Sequence, residues 1–483
     1  LRRLRSGHVF SQFYVVPNKD FDLDALGLAA AQQEQDEADI VSAPGADEDG
    51  DAWEDDEDND AASITSSPLS SAPSTPVASR APSPSPAQCA PAPALTTPSA
   101  AHDAPTTGRK RRSKAHSRDK RRQKRKLTSG AEPHKERQRA HARHISRAQP
   151  AHVKFDLKTA PATSTGFRGK YEDATPITQT REQLEAKGYV YFDWDGRCAG
   201  DKSDDGVIIA CLAGRPSDDD WATVTNTLAE EIERHRSQAT FSKCARIHRR
   251  GKFSAQAYGI SHGGGQLQPA NLKHSPPMAR VLSRLVRFPA MKRVAHFSSS
   301  TFGNWAPNVH RYTGDTLHAL LESNEGLTRN FIESVWACIT INFGPRTVTY
   351  PHRDYANLAF GWCAITALGA FDPDKGGHLV LSDCKMIIRF PPGSTILVPS
   401  AILNHANTHI GRRERRYSVT QYTAGAIFRW VAHGFQLDKS YFASLTRKEL
   451  ATDKATAAAR WAKGRAMFSK LSDLVKSVEG EAK

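Results

Sequence analysis

Short apolar runs separated by turn residues fill the chain after residue 335. Gly344-Pro345, Gly376-Gly377 and Pro391-Pro392-Gly393 separate several of these runs. Short strands at such spacing are typical of an all-β jelly roll or barrel. We predict strands at 337–343, 347–350, 362–368, 378–381, 386–390, 394–398, 417–423 and 427–431.

Upstream of this region the pattern is mixed, and it becomes typical of a globular domain from about residue 155. Ser217 and the three Asp residues after it predict the start of a helix. The apolar residues that follow recur at helical spacing, which predicts a buried face: Trp221, Val224, Leu228 and Ile232. Strands are predicted at 189–192 and 207–212, helices at 313–322 and 327–333, and one or two exposed helices within 438–483. A β core with flanking helices places the chain in the α+β class.

The first 150 residues show neither the succession of apolar runs typical of strands nor apolar residues at helical spacing. Residues 1–108 hold 5 Lys/Arg against 18 Asp/Glu. Acids dominate 34–60, and Ser, Pro, Ala and Thr dominate 61–107, so neither stretch can bury enough apolar surface to offset the entropy of ordering. We therefore predict three parts: a long disordered arm over 1–150, a folded domain over 151–437, and a helical C-terminal extension over 438–483.

The last part of the arm, 109–147, is strongly basic, with 17 Lys/Arg against 3 Asp/Glu. Its densest stretch, 109–126, carries 12 basic residues and one acid. Such a run is attracted to polyanions, which indicates a nuclear-import signal that binds an import receptor or the phosphate backbone of nucleic acid. The plainer interpretation is a solvated tail. We expect a nuclear protein, and a monomer.

Cysteine usage and hydropathy exclude other classes. The seven Cys residues contain no Cys-x-x-Cys pair, so we predict neither a zinc module nor a disulfide framework, and a reducing compartment fits best. The longest apolar run, 360–371, is too short to span a bilayer, and no signal peptide is evident, so no membrane partner is expected. Because the chain begins with Leu1 rather than Met, a natural start upstream is left open.

Two histidines and one aspartate in the β-rich region have the composition of an iron site. His352 and Asp354 are two residues apart and would share one face of a strand, and His405 follows a later apolar run. Two imidazoles and a carboxylate on one side of a metal leave positions open for a co-substrate and O2, as in non-haem Fe(II) oxygenases. A rival for the third ligand is His409.

The strand after His405 carries a candidate clamp for 2-oxoglutarate. Arg416 and Ser418 would share one face, and a guanidinium binds a carboxylate through two parallel charge-assisted hydrogen bonds. Arg415 is the rival for this role. The residues therefore predict an oxygenase that uses Fe(II), 2-oxoglutarate and O2. The alternative is a jelly roll whose histidines are ordinary buried residues.

Residues 335–435 resemble the fungal branch of the ten-eleven translocation and J-binding protein (TET/JBP) group, oxygenases that oxidise the methyl of a modified DNA base. Four segments carry the resemblance: Asn-Phe-Gly-Pro-Arg-Thr-Val-Thr-Tyr-Pro-His-Arg-Asp, Gly-Gly-His-Leu-Val-Leu, Phe-Pro-Pro-Gly-Ser-Thr-Ile-Leu-Val-Pro-Ser and Arg-Tyr-Ser-Val-Thr-Gln-Tyr-Thr-Ala-Gly. The similarity reaches back to about Tyr189. The arm over 1–150 lies outside the region of similarity.

The resemblance implies a double-stranded β-helix (jelly-roll) core with flanking helices, iron on the His-Asp-His set and 2-oxoglutarate on Arg416. Asn357 resembles a position at which relatives hold the edge of the base, and Tyr422, on the face of Arg416, could stack on it. The plainer alternatives are that Asn357 caps a turn and Tyr422 packs in the core. Relatives can carry a zinc-binding Cys-rich region, and we predict no such zinc here.

The substrate prediction combines this resemblance with charge. A base inside a duplex cannot reach a buried metal, so it would be flipped into a pocket. Arg346 and the basic residues of 245–252 are candidates for phosphate contact, or ordinary solvated charges. We expect oxidation of 5-methylcytosine in DNA. Two alternatives stay open: an oxygenase acting on RNA or protein, and a catalytically silent module that binds chromatin or nucleic acid.

Overall fold

The computed structural model describes residues 151–172, 176–196, 199–202 and 206–480, together with Ile145 and two short strands near the N-terminus. The acidic, Ser/Pro-rich and basic segments predicted within the arm lie outside the described residues. The predictions of nuclear import and of phosphate contact by 109–126 therefore stay predictions.

Strands and helices are both present, as the α+β class requires. The strands are β1 (Arg2–Arg3), β2 (Val9–Phe10), β3 (Ala151–His152), β4 (Val190–Phe192), β5 (Ala199–Lys202), β6 (Ile208–Gly214), β7 (Ile247–His248), β8 (Gly251–Lys252), β9 (Ser254–Ser261), β10 (Ala270–Asn271), β11 (Cys338–Gly344), β12 (Cys363–Ala370), β13 (Leu379–Leu381), β14 (Met386–Ile388), β15 (Thr395–Val398), β16 (His405–Asn407) and β17 (Arg415–Tyr422). The helices are α1 (Arg181–Glu185), α2 (Trp221–Arg236), α3 (Lys243–Arg246), α4 (Pro276–Arg287), α5 (Pro289–Trp305), α6 (Pro307–Ser323), α7 (Gly425–Ala432), α8 (Asp438–Ser444), α9 (Arg447–Ala466) and α10 (Leu471–Gly480).

Two sheets carry the later part of the chain. The larger has nine strands in the order β10-β9-β11-β17-β12-β15-β6-β5-β3, and the smaller has the order β16-β13-β14-β4. From β12 onward the chain passes between them: β13 and β14 lie in the smaller sheet, β15 in the larger, β16 in the smaller and β17 in the larger. One apolar cluster contains buried residues of both sheets, so they share a core.

Helices cover the outer face of the larger sheet. Buried residues of α2, α4 and α5 form a cluster with Ile339 and Ile341 of β11 and with Tyr417 and Val419 of β17. Because side chains alternate along a strand, Arg416, Ser418 and Tyr422 point to the opposite face, between the sheets. Helical spacing predicted most of the buried face of α2, since Trp221, Leu228 and Ile232 are buried and Val224 is half-buried.

Phe302 of α5 is fully buried and lies between two tryptophans. Its ring stacks on Trp336 at 5.2 Å and on Trp362 at 5.9 Å between centroids. Replacing it with alanine removes both contacts and leaves a cavity, so Phe302→Ala should lower the free energy of unfolding by about 3–5 kcal/mol. Chemical denaturation measures this. Ile332→Ala, at a residue 74% exposed, should change stability by less than about 0.5 kcal/mol; equal losses would contradict the packing described.

Two predicted elements are wrong. Residues 327–333 are turns and extended chain, because Leu327 and Phe331 enter different clusters while the Asn330 amide donates to the Tyr258 carbonyl at 2.8 Å. Residues 427–431 belong to α7 rather than to a strand. Ile427 and Phe428 are buried in two different clusters, and an apolar run this short has no periodicity that separates strand from helix.

Two further predictions need correction in detail. The cap of α2 is Asp220 rather than Ser217, and Asp218 and Asp220 both bind Arg293, at 2.9 and 2.6 Å. The predicted strand 347–350 is not a continuous strand, because it bonds to both sheets. The Thr347 N–H donates to the Arg416 carbonyl at 2.9 Å, and the Thr349 carbonyl accepts from the Asn407 N–H at 3.0 Å.

In the described part of the chain, three helices, α8 to α10, follow residue 437 rather than one or two exposed helices, and part of this segment enters the core. Phe468 and Leu474 are buried in the cluster shared by the two sheets. Gly464 lies so close to Phe360 that a Cβ there would come within 2.2 Å of its ring. Among the described residues, every helix is too short or too polar to cross a bilayer.

Candidate metal centre

His352, Asp354 and His405 meet at the seam between the two sheets. Their ligand atoms all lie within 4.8 Å of one another. His352 Nε2 lies 3.7 Å from Asp354 Oδ1, and His405 Nε2 lies 3.7 Å from Asp354 Oδ2. The structure thus brings together the three residues that the sequence singled out, in a group that could hold one metal ion.

Backbone pairing places the two histidines side by side. The His352 N–H donates to the His405 carbonyl at 3.1 Å, and the His405 N–H donates to the His352 carbonyl at 2.9 Å. Their ring centroids are 4.3 Å apart as a result. The Asp354 N–H donates to the Ser400 carbonyl at 2.9 Å, which fixes the carboxylate beside the rings.

Hydrogen bonds select the tautomer of both histidines. His352 Nδ1 donates to the Tyr350 carbonyl at 2.7 Å, and His405 Nδ1 donates to the Leu403 carbonyl at 2.9 Å. Because a carbonyl only accepts, the proton stays on Nδ1 and the lone pair of Nε2 faces Asp354. A backbone partner of this kind is what metal-ligating histidines require.

The protonation states also suit a metal. Burial would raise the pKa of Asp354, but His352, Arg250, His405 and Arg249 together hold it below its ordinary value, so the carboxylate is ionised at neutral pH. Burial, followed by the effect of His405, lowers the pKa of His352 well below its usual range. A neutral imidazole and an ionised carboxylate can bind a cation without first losing a proton.

Two arginines flank the aspartate, at a position that the sequence does not predict. Arg250 Nη1 lies 3.6 Å and Arg249 Nη2 3.9 Å from Asp354 Oδ1. Arg249 is further held by the Arg353 carbonyl at 3.0 Å and lies over the ring of Tyr355. Both come from the turn between β7 and β8, about a hundred residues before Asp354, so no local pattern in the sequence could reveal the contact.

Arg416 is a buried cation that lacks an acidic partner among the described residues. Its side chain is 1% exposed and lies over the rings of Phe371 and Phe390. Nη1 donates to the Thr347 carbonyl at 2.9 Å, and Nε has no hydrogen-bond partner. Burial lowers the pKa of Arg416 to about 10. A buried charge in this state favours binding of an anion such as a carboxylate.

Neighbouring polar groups extend this region of the core. Ser418 is buried and accepts a hydrogen bond from Asn342 Nδ2 at 2.8 Å, across the pair β11–β17. The hydroxyl of Thr347, beside the carbonyl that holds Arg416, is buried and has no hydrogen-bond partner within the described ranges. Unpaired buried donors and acceptors are costly, so these groups also favour a polar ligand.

The two predicted base-binding residues lie near each other. Asn357 and Tyr422 line one pocket together with Trp336 and Cys363. The Asn357 amide donates to Ser400 Oγ at 3.2 Å, and the Tyr422 hydroxyl accepts from Thr340 Oγ1 at 3.3 Å. The free volume is about 10 Å³, which is room for one water molecule rather than a base. Their role in base binding stays a prediction.

The two rivals lie elsewhere. His409 is exposed and bonds to the hydroxyl of Thr178. Arg415 is exposed and pairs with Glu233 at 3.2 Å on the outer side of the sheet. The geometry therefore favours His405 over His409 and Arg416 over Arg415. Arg415 and Arg416 point to opposite faces of the sheet because side chains alternate along β17.

Comparisons with known proteins give no family. No protein-family model matches the chain, and no curated protein matches it. Among solved structures, the chain is similar to NgTET1 in complex with 5mC DNA, at 13% identity and a TM-score of 0.35, over 56% of this chain and 89% of that chain. It is similar to a 2OG-Fe(II) oxygenase family oxidoreductase from Burkholderia pseudomallei, at 16% identity and a TM-score of 0.23, over 41% and 77% of the two chains. It is also similar to OsALKBH1, at 12% identity and a TM-score of 0.23, over 40% and 91%. Likenesses this weak define neither activity nor substrate, which rest on the residues themselves.

Proposed function

We propose that the chain is an Fe(II)- and 2-oxoglutarate-dependent dioxygenase that oxidises the methyl group of 5-methylcytosine in DNA. One observation carries the proposal: the His352, Asp354 and His405 group lies in the same β core as a buried, unpaired Arg416. The segment 347–354 joins the two features, because the Thr347 carbonyl holds Arg416 and the segment ends at Asp354.

The strand order supports a double-stranded β-helix. The larger sheet contains the antiparallel series β11-β17-β12-β15, and the smaller contains β16-β13-β14. The segment that carries His352 supplies an eighth position, since it pairs with β16 through His405. Eight antiparallel segments divided between two sheets, four in each, are the pattern of a jelly roll.

The donor set fits the cofactors. Two imidazoles and a carboxylate suit ferrous iron, and they leave coordination positions open. When bound, iron with 2-oxoglutarate and O2 supplies the oxidising power that inserts one oxygen atom into a C–H bond and the other into succinate, with release of CO2. The chain's own residues have simpler tasks. His352, Asp354 and His405 would hold the metal, Arg416 the far carboxylate, and the surrounding apolar residues would exclude water.

A methylated DNA base as substrate is supported by the resemblance of 335–435 to the TET/JBP group and by the basic charge of the chain, +14 overall. A polyanion is attracted to such a chain whatever its sequence. The target base would be flipped out of the duplex, with Asn357 at its edge and Tyr422 against its face, which requires the small pocket between them to open.

The experiment is incubation with ferrous iron, ascorbate, 2-oxoglutarate and methylated duplex DNA, followed by mass spectrometry of nucleosides. We expect hydroxymethylcytosine that depends on 2-oxoglutarate and disappears in His405→Ala. His318→Ala, at an exposed histidine outside the site, should retain activity. Succinate formation with methylated RNA or a peptide but unchanged DNA would reassign the substrate. No turnover of 2-oxoglutarate on any of these substrates would reject the class.

A further inference from the structure

An open cleft adjoins the segment that leads into His352. It encloses about 330 Å³ and is lined in part by Lys252, Arg346, Val348, Tyr350 and His409. The carbonyl of Tyr350 accepts a hydrogen bond from Nδ1 of His352. One residue therefore both lines the cleft and orients a ligand of the metal centre. Two of its lining residues, Lys252 and Arg346, belong to the basic residues for which the sequence suggests phosphate contact.

The cleft carries positive charge without compensation. Lys252 and Arg346 are exposed, and within the part of the chain that the structure describes neither forms an ion pair. None of the lining residues is acidic. Concave sites lined by one sign of charge concentrate ions of the opposite sign, so the cleft favours an anion.

Close backbone packing joins the two chain segments that carry Lys252 and Arg346. A Cβ at Gly251 would come within 2.7 Å of the Val348 carbonyl oxygen, so the β7–β8 hairpin lies directly against the segment 346–350. The Tyr350 N–H also donates to the Arg250 carbonyl at 2.9 Å. The backbone positions of Lys252 on the hairpin and of Arg346 on the segment are therefore fixed relative to each other.

The same hairpin reaches the metal centre. Arg250 lies 3.6 Å from Asp354, and Lys252 follows it by two residues, a distance of about 6–7 Å along an extended chain. The cleft and the metal centre thus both contact this hairpin. Because both cations are exposed and the cleft is open, it suits a polymer that continues beyond it better than a small molecule, which pockets bury almost completely.

We infer that this cleft binds a phosphodiester of the DNA strand whose modified base enters the metal centre. The inference rests on the proposed function and adds to it the place at which the strand is held. Lys252 and Arg346 supply the charge, and Tyr350 lines the cleft beside them. Contacts of this kind fix the register of the strand and carry no base preference.

The test is the double variant Lys252→Gln/Arg346→Gln, in which equilibrium binding of methylated duplex DNA is measured at several salt concentrations. The slope of log K against log salt should fall by about 0.9 for each lost contact. Binding should weaken equally for methylated and unmethylated duplexes. Arg346 pairs with Arg416 through the backbone, which a glutamine at 346 leaves in place, so the affinity for 2-oxoglutarate should match the wild type. A wild-type affinity also shows that the variant is folded.

The matched control is Arg287→Gln/Lys292→Gln, which removes the same charge from the start of α5 and the end of α4, outside the larger sheet. It should leave the salt slope unchanged. Equal slopes for the two double variants, or a wild-type protein that binds no DNA, would overturn the inference. DNA that binds through Lys252 and Arg346 but is never oxidised would support the cleft and reject the proposed function.

Discussion

Arg416→Met should abolish productive binding of 2-oxoglutarate without destabilising the protein. Two charge-assisted hydrogen bonds to a carboxylate contribute about 1.5–3 kcal/mol each, so their loss should weaken binding by two to four orders of magnitude. Methionine is unbranched and apolar, and it can occupy the space beside Phe371 and Phe390 in which the guanidinium now lies.

The stability expected of Arg416→Met follows from the burial of the Arg416 charge. Arg416 is 1% exposed and has no acidic partner among the described residues, so the ligand-free protein bears the cost of an uncompensated charge. Replacing even a buried ion pair with apolar residues is often neutral or stabilising by about 1–4 kcal/mol, and a buried charge without an ionic partner has less to lose. Chemical denaturation without 2-oxoglutarate should therefore show a variant at least as stable as the wild type.

Arg415→Met is the matched control, because it removes the same charge from the adjacent, exposed residue. Arg415 pairs with Glu233 at 3.2 Å near the surface, and pairs of that kind contribute about 0–1 kcal/mol. Its affinity for 2-oxoglutarate should be that of the wild type. If Arg416→Met bound 2-oxoglutarate normally and lost several kcal/mol of stability, Arg416 would be a structural residue and the clamp would be rejected.

Asp354→Ala should remove ferrous iron binding and all activity. The carboxylate is the one anionic group of the triad and lies 3.7 Å from Nε2 of both histidines. Losing an outer partner of a ligand already costs about 10- to 100-fold in metal affinity, so losing the ligand itself should cost more. The variant also leaves Arg249 and Arg250 facing the site without their carboxylate, which further disfavours a cation.

Anaerobic titration with ferrous iron measures the first effect, and 2-oxoglutarate turnover the second. Asp374→Ala is the control, since Asp374 is exposed and pairs with Arg389 at 2.5 Å outside the triad. It should bind iron as the wild type does. An Asp354→Ala variant with normal iron affinity would show that the metal is held elsewhere.

The core of the site could be predicted because its spacing is local. His352 and Asp354 share a face by side-chain alternation, and Arg416 and Ser418 do so on β17. His405 required a further assumption, that two distant segments pair, and the His352–His405 bridge shows that they do. Residues two positions apart on a strand therefore gave most of the information from which the site could be predicted.

Long-range partners could not be predicted in the same way. Arg249 and Arg250 reach Asp354 from a separate hairpin, and Asn342 reaches Ser418 from the neighbouring strand. The carbonyls that fix the two imidazoles belong to Tyr350 and Leu403, and any residue type could supply them. Such contacts depend on the register of the sheets, which a single sequence does not specify.

Helices were the least predictable elements. The helices α4, α5 and α6 each begin at a proline, at Pro276, Pro289 and Pro307, and the first two were not predicted. Proline is favoured in the first turn of a helix because its missing N–H has no partner there in any case. The segment 427–431 was assigned to a strand because its aromatic and branched residues suit both structures.

The most direct test of the site is calorimetric titration of the protein with 2-oxoglutarate, without oxygen, in the presence and absence of ferrous iron. If the triad and Arg416 form one site, one molecule of 2-oxoglutarate should bind per chain, and iron should raise its affinity, because each ligand of a shared site increases the affinity for the other. The linkage should vanish in Asp354→Ala. Binding of 2-oxoglutarate that is unaffected by iron, or that does not occur, would contradict a shared site.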